Sequence, residues 1–358
     1  MSEFSQMNFC SDNVTGVAPE IMQALAEANQ GTAWPYGNDD WTRKVEAQLA
    51  EIFERKVKAF PVATGTATNS LALATMCPPY AAMLAHEAAH VMVDECGAPE
   101  FYSGGAKLIP IAGAHGKMSA EGVAAALAKW RSTDPHQVPL AAISLTNATE
   151  SGTVYRPDEV AAIARLAKAA GLRVHMDGAR FANAMAFLGV PAKAVTWEAG
   201  VDALSFGATK GGAMAAECVV FFDDKLAESF AYRRMRGGHL VSKMRFVSAQ
   251  LNAFFADGLW LKLARHANAM AQRLAQGLTR IPGARLIHPV EANELFVVLP
   301  PAVIQGLREA GAAFYDWKMT FLGAEEPNLI RLVTAWETEP AKVEKFLKVA
   351  TEVAAKAA

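Results

Sequence analysis

Short apolar runs alternate with amphipathic stretches along the first two thirds of the chain. An apolar run between turn residues is typical of a buried strand, and apolar residues at every third or fourth position predict a helix. Strands that are apolar throughout are covered on both faces, as in a mainly parallel sheet. The pattern therefore predicts an α/β fold, with strands at residues 60–63, 82–84, 108–111, 140–145, 173–176, 202–206 and 218–222.

Helices are predicted between these strands, and the pattern changes after residue 243. The earlier helices are residues 19–29, 42–53, 64–76, 86–96, 120–130 (with Ser119 as N-cap) and 157–170. The later elements are a long helical stretch at 245–281, strands at 285–287, 295–299 and 329–334, and helices at 303–310 and from 341. We therefore predict an N-terminal segment (1–18) that contributes to the active site, a large α/β domain (19–250) and a smaller C-terminal α+β domain (251–358).

Composition narrows the class of protein without identifying it. The 358 residues are 52% hydrophobic with a formal net charge of −2, which gives no electrostatic sign of a nucleic acid or membrane partner. We see no apolar run of eighteen residues and no signal peptide at the N-terminus. The four cysteines form no C-x-x-C pair, which argues against a zinc site. These features predict a cytoplasmic protein with reduced thiols and no metal.

The turn at residues 207–212 carries a single lysine, Lys210, between glycines and directly after a predicted buried strand. Ligands of open α/β sheets bind at the carboxyl ends of the strands. A partly desolvated lysine there is suited to Schiff-base chemistry, because burial lowers its pKa. The alternative is a solvent-exposed loop lysine, so the interpretation depends on other residues.

An aromatic cofactor that carries a phosphate needs three further features. Residues 64–67 (Thr-Gly-Thr-Ala) start a helix after a strand, where free backbone N–H groups bind anions. Asp177, at the end of the strand 173–176, could keep a pyridinium nitrogen protonated, although it could also cap the next helix. His90 could stack on the ring.

Two arginines are candidates for binding a substrate carboxylate through paired hydrogen bonds, Arg180 and Arg331. Arg331 lies inside the apolar strand 329–334, where a charge is costly unless it is paired. Alternation along the strand could instead turn this side chain to solvent.

The order of these elements resembles that of fold type I pyridoxal-phosphate enzymes, whose fold is that of aspartate aminotransferase. More narrowly, the chain resembles the low-specificity L-threonine aldolases of the aromatic amino acid β-eliminating lyase group. The resemblance spans nearly the whole chain, and the 175–180 element and the lysine turn are its most specific parts. It is carried by Ser11–Thr15, Tyr36–Asp39, Ala63–Thr66, Ala88–His90, His175–Arg180, the Lys210 turn, Met244–Arg245 and Ile330–Thr334.

The resemblance implies pyridoxal 5'-phosphate as cofactor and retro-aldol cleavage of L-β-hydroxy-α-amino acids to glycine and an aldehyde. It also implies a homotetramer (a dimer of dimers) with active sites at the dimer interface. Lys210 would form the Schiff base, Asp177 would pair with the pyridinium nitrogen, and His90 would stack on the ring. The implied cofactor-binding set is completed by Thr64, Gly65, Thr66, Arg180 and Arg245, and the implied carboxylate-binding set is Ser11, Arg180 and Arg331.

The chain departs from the family pattern at two places. Thr209 precedes the lysine where the family has serine. In the run 147–152, Glu150 stands nearest the place of a family histidine beside the substrate hydroxyl, so Glu150 joins His90 as a candidate base. With these departures, the chain resembles a divergent branch of the family, one that includes phenylserine-type aldolases.

Three other functions stay open on the same fold: a β-eliminating lyase, an aminotransferase and a non-catalytic cofactor-binding module. A nicotinamide-dependent dehydrogenase is disfavoured, because no G-x-G-x-x-G follows the first strand.

Overall fold

The computed structural model describes residues 7–130, 134–318 and 326–357. Residues 1–6 of the predicted N-terminal segment lie outside the described residues. In chain order the described strands are β1 Met7–Asn8, β2 Lys58–Val62, β3 Ala82–His86, β4 Lys107–Ile111, β5 Leu140–Thr146, β6 Arg173–Gly178, β7 Ala203–Gly207, β8 Glu217–Phe221, β9 Arg285–Leu286, β10 Glu294–Val298, β11 Ala312–Ala313, β12 Tyr315–Asp316 and β13 Leu329–Val333.

The described helices surround these strands. They are α1 Pro19–Ala28, α2 Asp40–Ile52, α3 Gly65–Met76, α4 His90–Val93, α5 Ala98–Ser103, α6 Ala120–Lys129, α7 Pro157–Ala169, α8 Phe181–Leu188, α9 Asp224–Arg236, α10 Arg245–Phe255, α11 Leu259–Leu278, α12 Pro301–Glu309 and α13 Pro340–Ala357. Several begin at the expected signals: proline opens α1 and α7, and the Ser119 hydroxyl accepts a hydrogen bond from Gly122 N (3.0 Å) at the start of α6.

The central sheet has seven strands in the order β2-β8-β7-β6-β5-β3-β4. All pairs are parallel except the two made by β8, so six strands run one way and β8 runs against them. The mainly parallel sheet predicted from the sequence is therefore confirmed. Strands β3, β7 and β8 are buried at every position, which explains why they are apolar without alternation.

A smaller antiparallel sheet, in the order β12-β13-β10-β9, forms the C-terminal part together with α12 and α13. Residues of α10 and the first half of α11 pack into the core of the central sheet, whereas Met270 to Leu278 pack into the core of the small sheet. Helix α11 therefore serves both cores, and the domain division at residue 250 stays a prediction.

The N-terminal segment runs between the two parts. Met7 and Asn8 pair in parallel with β11, and Phe9 exchanges backbone hydrogen bonds with Ala313 and Val333. Ala18 N then donates to Gly212 O in the lysine turn at 2.8 Å. The segment is thus fixed to the small sheet at one end and to the lysine turn at the other.

Two predicted helices were wrong in extent. The predicted helix 86–96 is helical only at His90–Val93, because His86 still belongs to β3 and left-handed backbone at Cys96 and Gly97 ends the segment. The predicted stretch 245–281 is broken at residues 256–258, where Asp257 and Gly258 have positive φ. Helices α5, α8 and α9 and the two-residue strands β1, β11 and β12 were not predicted. No helix among the described residues has the length and apolar character needed to cross a membrane.

Candidate active site

A cavity of about 330 Å³ opens at the carboxyl ends of β6 and β7. Its lining includes Thr64, Gly65, Thr66, His90, Asp177 and Lys210, together with Asn13, Asn69, Thr209, Met214 and Glu217. The structure thus brings together the lysine, the strand-end carboxylate, the histidine and the helix start that the sequence singled out. They meet because β6 and β7 are neighbours, with Asp177 opposite Ser205 in the ladder.

Aromatic side chains pack closely against the lysine turn. Phe206, just before it, packs edge-on against the rings of Phe255 and Trp260, with centroids 5.0 and 5.5 Å away. Gly211 lies so close to Phe254 that a Cβ there would stand 2.9 Å from ring carbons. The backbone of the turn therefore has little room to move, which fixes the position from which the Lys210 side chain starts.

Glu217, on β8, closes the other side of this turn. Its Oε2 accepts a hydrogen bond from Ala208 N at 3.0 Å, and its side chain is 6% exposed. Burial raises the pKa of Glu217 to about 7, although hydrogen bonds from Thr209 and Ala208 and the charge of Lys210 act in the opposite direction. A titratable carboxyl therefore lies in the same cavity as Lys210.

Asp177 is held by two hydrogen bonds at the end of β6. Its Oδ1 accepts from Ala179 N at 2.9 Å and its Oδ2 accepts from Asn69 Nδ2 at 2.8 Å. His175, two residues earlier and fully buried, is bonded to Ser144 and Ser205, and burial lowers its pKa to about 4. His175 is therefore neutral near pH 7, and Asp177 is the acidic side chain at this strand end.

His90 begins α4, and its side chain is one third exposed at the cavity. Its Nδ1 lies 2.9 Å from Glu95 Oε1, and Glu95 is fully buried. The hydrogen bond to Glu95 raises the pKa of His90, as do the charges of Glu150 and Asp177, whereas burial lowers it. The net effect is a raised pKa, so the imidazolium persists to a higher pH than in an ordinary histidine.

The first turn of α3 faces the cavity. Thr64 is its N-cap, and its hydroxyl accepts from Ala67 N at 3.2 Å. Gly65 and Thr66 follow, and a Cβ on Gly65 would meet nothing within 4 Å. The helix start therefore offers backbone donors beside open space, an arrangement that suits a phosphate group.

Arg180 is buried, and its guanidinium faces the carboxylates of Asp12 and Glu294. Its Nε donates to Asp12 Oδ2 at 2.7 Å, its Nη2 donates to Asp12 Oδ1 at 3.1 Å, and its Nη1 lies 3.6 Å from Glu294. Burial raises the pKa of Glu294 to about 7 despite the charge of Arg180. The two nitrogens of Arg180 that could bind a substrate carboxylate as a pair already bind Asp12. Its predicted contacts with substrate and cofactor therefore stay predictions.

Arg331 has donor capacity left over. Its Nη2 donates to Cys10 O at 3.3 Å, and its guanidinium lies 4.4 Å from the ring centre of Trp317 and 5.5 Å from that of Tyr315. Its Nε is buried without a hydrogen-bond partner among the described residues. An incoming carboxylate would satisfy that nitrogen.

Neither Arg180 nor Arg331 is among the described residues that line this cavity, and three further predicted residues also stand apart from its lining. Ser11 caps the short turn 12–14 by accepting from Asn13 N at 3.1 Å, and it lines a neighbouring cavity. Arg245, at the start of α10, donates to Gly31 O at 3.2 Å. Glu150 is half-buried after β5, where its charge influences His90 and Arg180.

Sequence reasoning missed Asn69, Glu95 and Glu217. Asn69 follows Gly65 by four residues on α3 and so shares its face, which is a signal that helical spacing could have supplied. Glu95 fell in a segment predicted as continuous helix, and Glu217 in a strand whose apolar part begins one residue later.

Comparison with known proteins identifies the family of this chain. The profile of the beta-eliminating lyase family matches residues 8–301. The chain belongs to this family. The low specificity L-threonine aldolase of a Pseudomonas species is 43% identical over 346 residues, covering 97% of this chain and 97% of that protein. Within the beta-eliminating lyases, the chain therefore lies with the low-specificity L-threonine aldolases.

Solved structures agree with this placement. The chain superposes on the threonine aldolase of Leishmania major with a TM-score of 0.89 at 28% identity, covering 97% of this chain and 99% of that one. It superposes on the aspartate aminotransferase of Thermus thermophilus with a TM-score of 0.69 at 16% identity, covering 98% of this chain and 92% of that one, a likeness of fold alone. The predicted aspartate aminotransferase-like fold of this beta-eliminating lyase is confirmed.

Proposed function

We propose that the protein is a pyridoxal 5'-phosphate-dependent aldolase that cleaves L-threonine, L-allo-threonine and related L-β-hydroxy-α-amino acids to glycine and an aldehyde. The observation that carries the proposal is the single cavity shared by Lys210, Asp177, His90 and the start of α3. Its close relatives are named low specificity L-threonine aldolases.

The residues fit the cofactor part by part. Lys210 Nζ would bind it covalently, the backbone of Gly65 and Thr66 would hold the phosphate, and Asp177 would keep the pyridinium nitrogen protonated. His90 would stack on the ring. When bound, pyridoxal 5'-phosphate accepts the electron pair released as the Cα–Cβ bond of the substrate breaks.

The remaining residues bind and orient the substrate. We assign the substrate carboxylate to Arg331, because its Nε is a buried donor without a partner among the described residues. We assign Arg180 to a supporting role, because Asp12 already occupies it. A base takes the proton of the β-hydroxyl, and His90 and Glu150 are the candidates.

The decisive substitution is Lys210→Ala. We expect kcat/KM for L-threonine cleavage to fall by about 10³-fold or more, with loss of the visible absorbance of the covalently held cofactor. Aldehyde formation and the absorption spectrum measure the two effects. The matched control is Lys243→Ala, which removes an exposed lysine. Wild-type turnover in the Lys210 variant would refute the proposal.

Arg331→Ala tests the carboxylate assignment. We expect KM for L-threonine to rise by about tenfold or more, because a bidentate charge-assisted contact is lost, with a smaller change in kcat. Arg331→Lys keeps the positive charge but not the paired N–H donors of the guanidinium, so its KM should lie between those of wild type and Arg331→Ala. An unchanged KM in Arg331→Ala would move the assignment to another arginine.

Products separate the aldolase from its rivals. L-Threonine, L-allo-threonine and phenylserine should each give glycine and an aldehyde without an added keto acid. A β-eliminating lyase would instead release ammonia and a keto acid, and an aminotransferase would need an amino acceptor. We further propose a cytoplasmic homotetramer, a dimer of dimers with the active site at the dimer interface, and light scattering in solution tests the tetramer.

A further inference from the structure

A chain of hydrogen bonds through the buried side chains of Glu95 and Asn69 joins His90 to Asp177 at the wall of the cavity. Glu95 Oε1 lies 2.9 Å from His90 Nδ1 and accepts from Asn69 Nδ2 at 2.8 Å. The same Asn69 nitrogen donates to Asp177 Oδ2 at 2.8 Å. The Glu95 side chain has no exposed surface. The roles proposed above use neither Glu95 nor Asn69.

The direction of these hydrogen bonds follows from the amide. The Asn69 nitrogen carries two hydrogens and no acceptor site, and each hydrogen meets a carboxylate oxygen. The opposite orientation would set the amide oxygen against two carboxylates, which is unfavourable. As a carboxylate, Glu95 accepts at Oε1 and has no hydrogen to donate, so His90 Nδ1 carries the hydrogen between them. Nε2 is therefore the ring nitrogen of His90 that can bind and release a proton.

We propose that Glu95 and Asn69 are positioning residues that make His90 a proton carrier, with Nδ1–H fixed on Glu95 and Nε2 exchanging a proton with the substrate. The logic is that of a carboxylate that orients a histidine and fixes its tautomer. Asn69 donates to both Glu95 and Asp177. It therefore also links Glu95, the partner of His90, to Asp177, the carboxylate that we assign to the cofactor nitrogen. The proposal deepens the proposed function and rests on it.

The electrostatic surroundings of His90 are acidic. Glu95 faces it from the segment after α4, Asp177 from the end of β6 and Glu150 from the loop after β5, and Lys210 shares the cavity. The hydrogen bond to Glu95 is the largest influence that raises the pKa of His90. The proton on Nε2 is therefore retained at a higher pH than on an ordinary histidine, whose pKa is about 6.5.

The tautomer and the titration of His90 can be read without any turnover. Holoenzyme labelled with ¹⁵N-histidine is titrated by NMR, and His90→Asn identifies the His90 signals. We expect protonated Nδ1 in the neutral form and a pKa above 6.5. A neutral form protonated on Nε2, or a lower pKa, would overturn the proposal. Failure of the proposed function would appear separately, as wild-type enzyme that releases no aldehyde.

Glu95→Gln then tests the cause. It keeps the size of the side chain and removes the charge, so the pKa of His90 should fall by about one unit or more. The acidic limb of the kcat/KM profile should move to lower pH by the same amount. Asp94→Asn, an exposed neighbour, is the matched control. An unmoved His90 titration in Glu95→Gln, or an equal shift in Asp94→Asn, contradicts the proposal. If Glu95→Gln does not fold, the wild-type tautomer still decides.

Discussion

At the scale of single residues, the carboxyl of Glu217 gives the site a pH dependence of its own. Burial raises its pKa from 4.5 to about 7 in the folded protein. Between these values the folded state binds more protons than the unfolded state. The free energy of unfolding should therefore fall as pH rises through this window, by up to about 3 kcal/mol.

Glu217→Gln should remove this decrease in stability with rising pH while keeping an acceptor for Ala208 N. We expect the change in the free energy of unfolding between pH 5 and pH 8 to be smaller in the variant than in wild type by up to about 3 kcal/mol. Urea denaturation at matched pH values measures it. Glu228→Gln removes an exposed glutamate and should reproduce the wild-type profile. If both variants follow wild type, Glu217 does not titrate in this range.

At the scale of elements, the site depends on how closely the ends of β6 and β7 approach. A Cβ on Gly207 would stand 2.5 Å from the carbonyl oxygen of Ala179 and 2.7 Å from its Cα. Both atoms belong to backbone next to a paired strand, so they cannot rotate away. The strand ends that carry Asp177 and Lys210 therefore require glycine at residue 207.

Gly207→Ala should destabilise the protein by about 2 kcal/mol or more, because the clash forces the two strand ends apart. It should also weaken cofactor binding, since Asp177 and Lys210 would no longer share one geometry. Thermal unfolding and cofactor titration measure the two effects. Gly16→Ala is the control, because a Cβ there meets nothing within 4 Å. If Gly207→Ala and Gly16→Ala unfold at the same temperature and bind the cofactor equally well, the strand ends tolerate the displacement.

Sequence reasoning reached the elements more readily than their pairing. Runs such as 203–207 are apolar because both faces are buried, and burial is visible in the sequence. The reversed direction of β8 was not predicted, because a buried strand reads the same in either direction. The helix break at Asp257 was hidden, since neither of its flanks loses its apolar period.

The site shows the same limit. Lys210, Asp177 and the start of α3 follow strand ends, so topology alone brings them together. Glu95 reaches His90 across a segment that was predicted as continuous helix. Asn69 shares a helix face with Gly65, but its contacts with Glu95 and Asp177 span 26 and 108 residues, and a single sequence does not show which distant side chains meet. The occupation of Arg180 by Asp12, 168 residues away, was unpredictable for the same reason.

At the scale of the whole molecule, one buried ion pair joins the N-terminal segment, the central sheet and the small sheet. Asp12 accepts two hydrogen bonds from Arg180 and one from Asn293 Nδ2 at 3.0 Å. Asp12 is 1% exposed and Arg180 is 7% exposed. Burial would raise the pKa of Asp12, but the charges of Arg180 and Lys210 and the hydrogen bonds outweigh it and lower the pKa.

Asp12→Asn should destabilise the protein by about 3–5 kcal/mol at pH 7, because it leaves the buried guanidinium of Arg180 without its ionised partner. The pKa of Asp12 is lower in the folded than in the unfolded state, so its contribution is present above about pH 4 and is lost as pH falls through the folded value. The gap between wild type and variant should therefore narrow from pH 7 to pH 3, as measured by urea denaturation. Asp316→Asn breaks a solvent-exposed aspartate–arginine pair with Arg308 and should cost less than about 1 kcal/mol. If the two variants lose the same stability, the buried pair does not hold the three parts together.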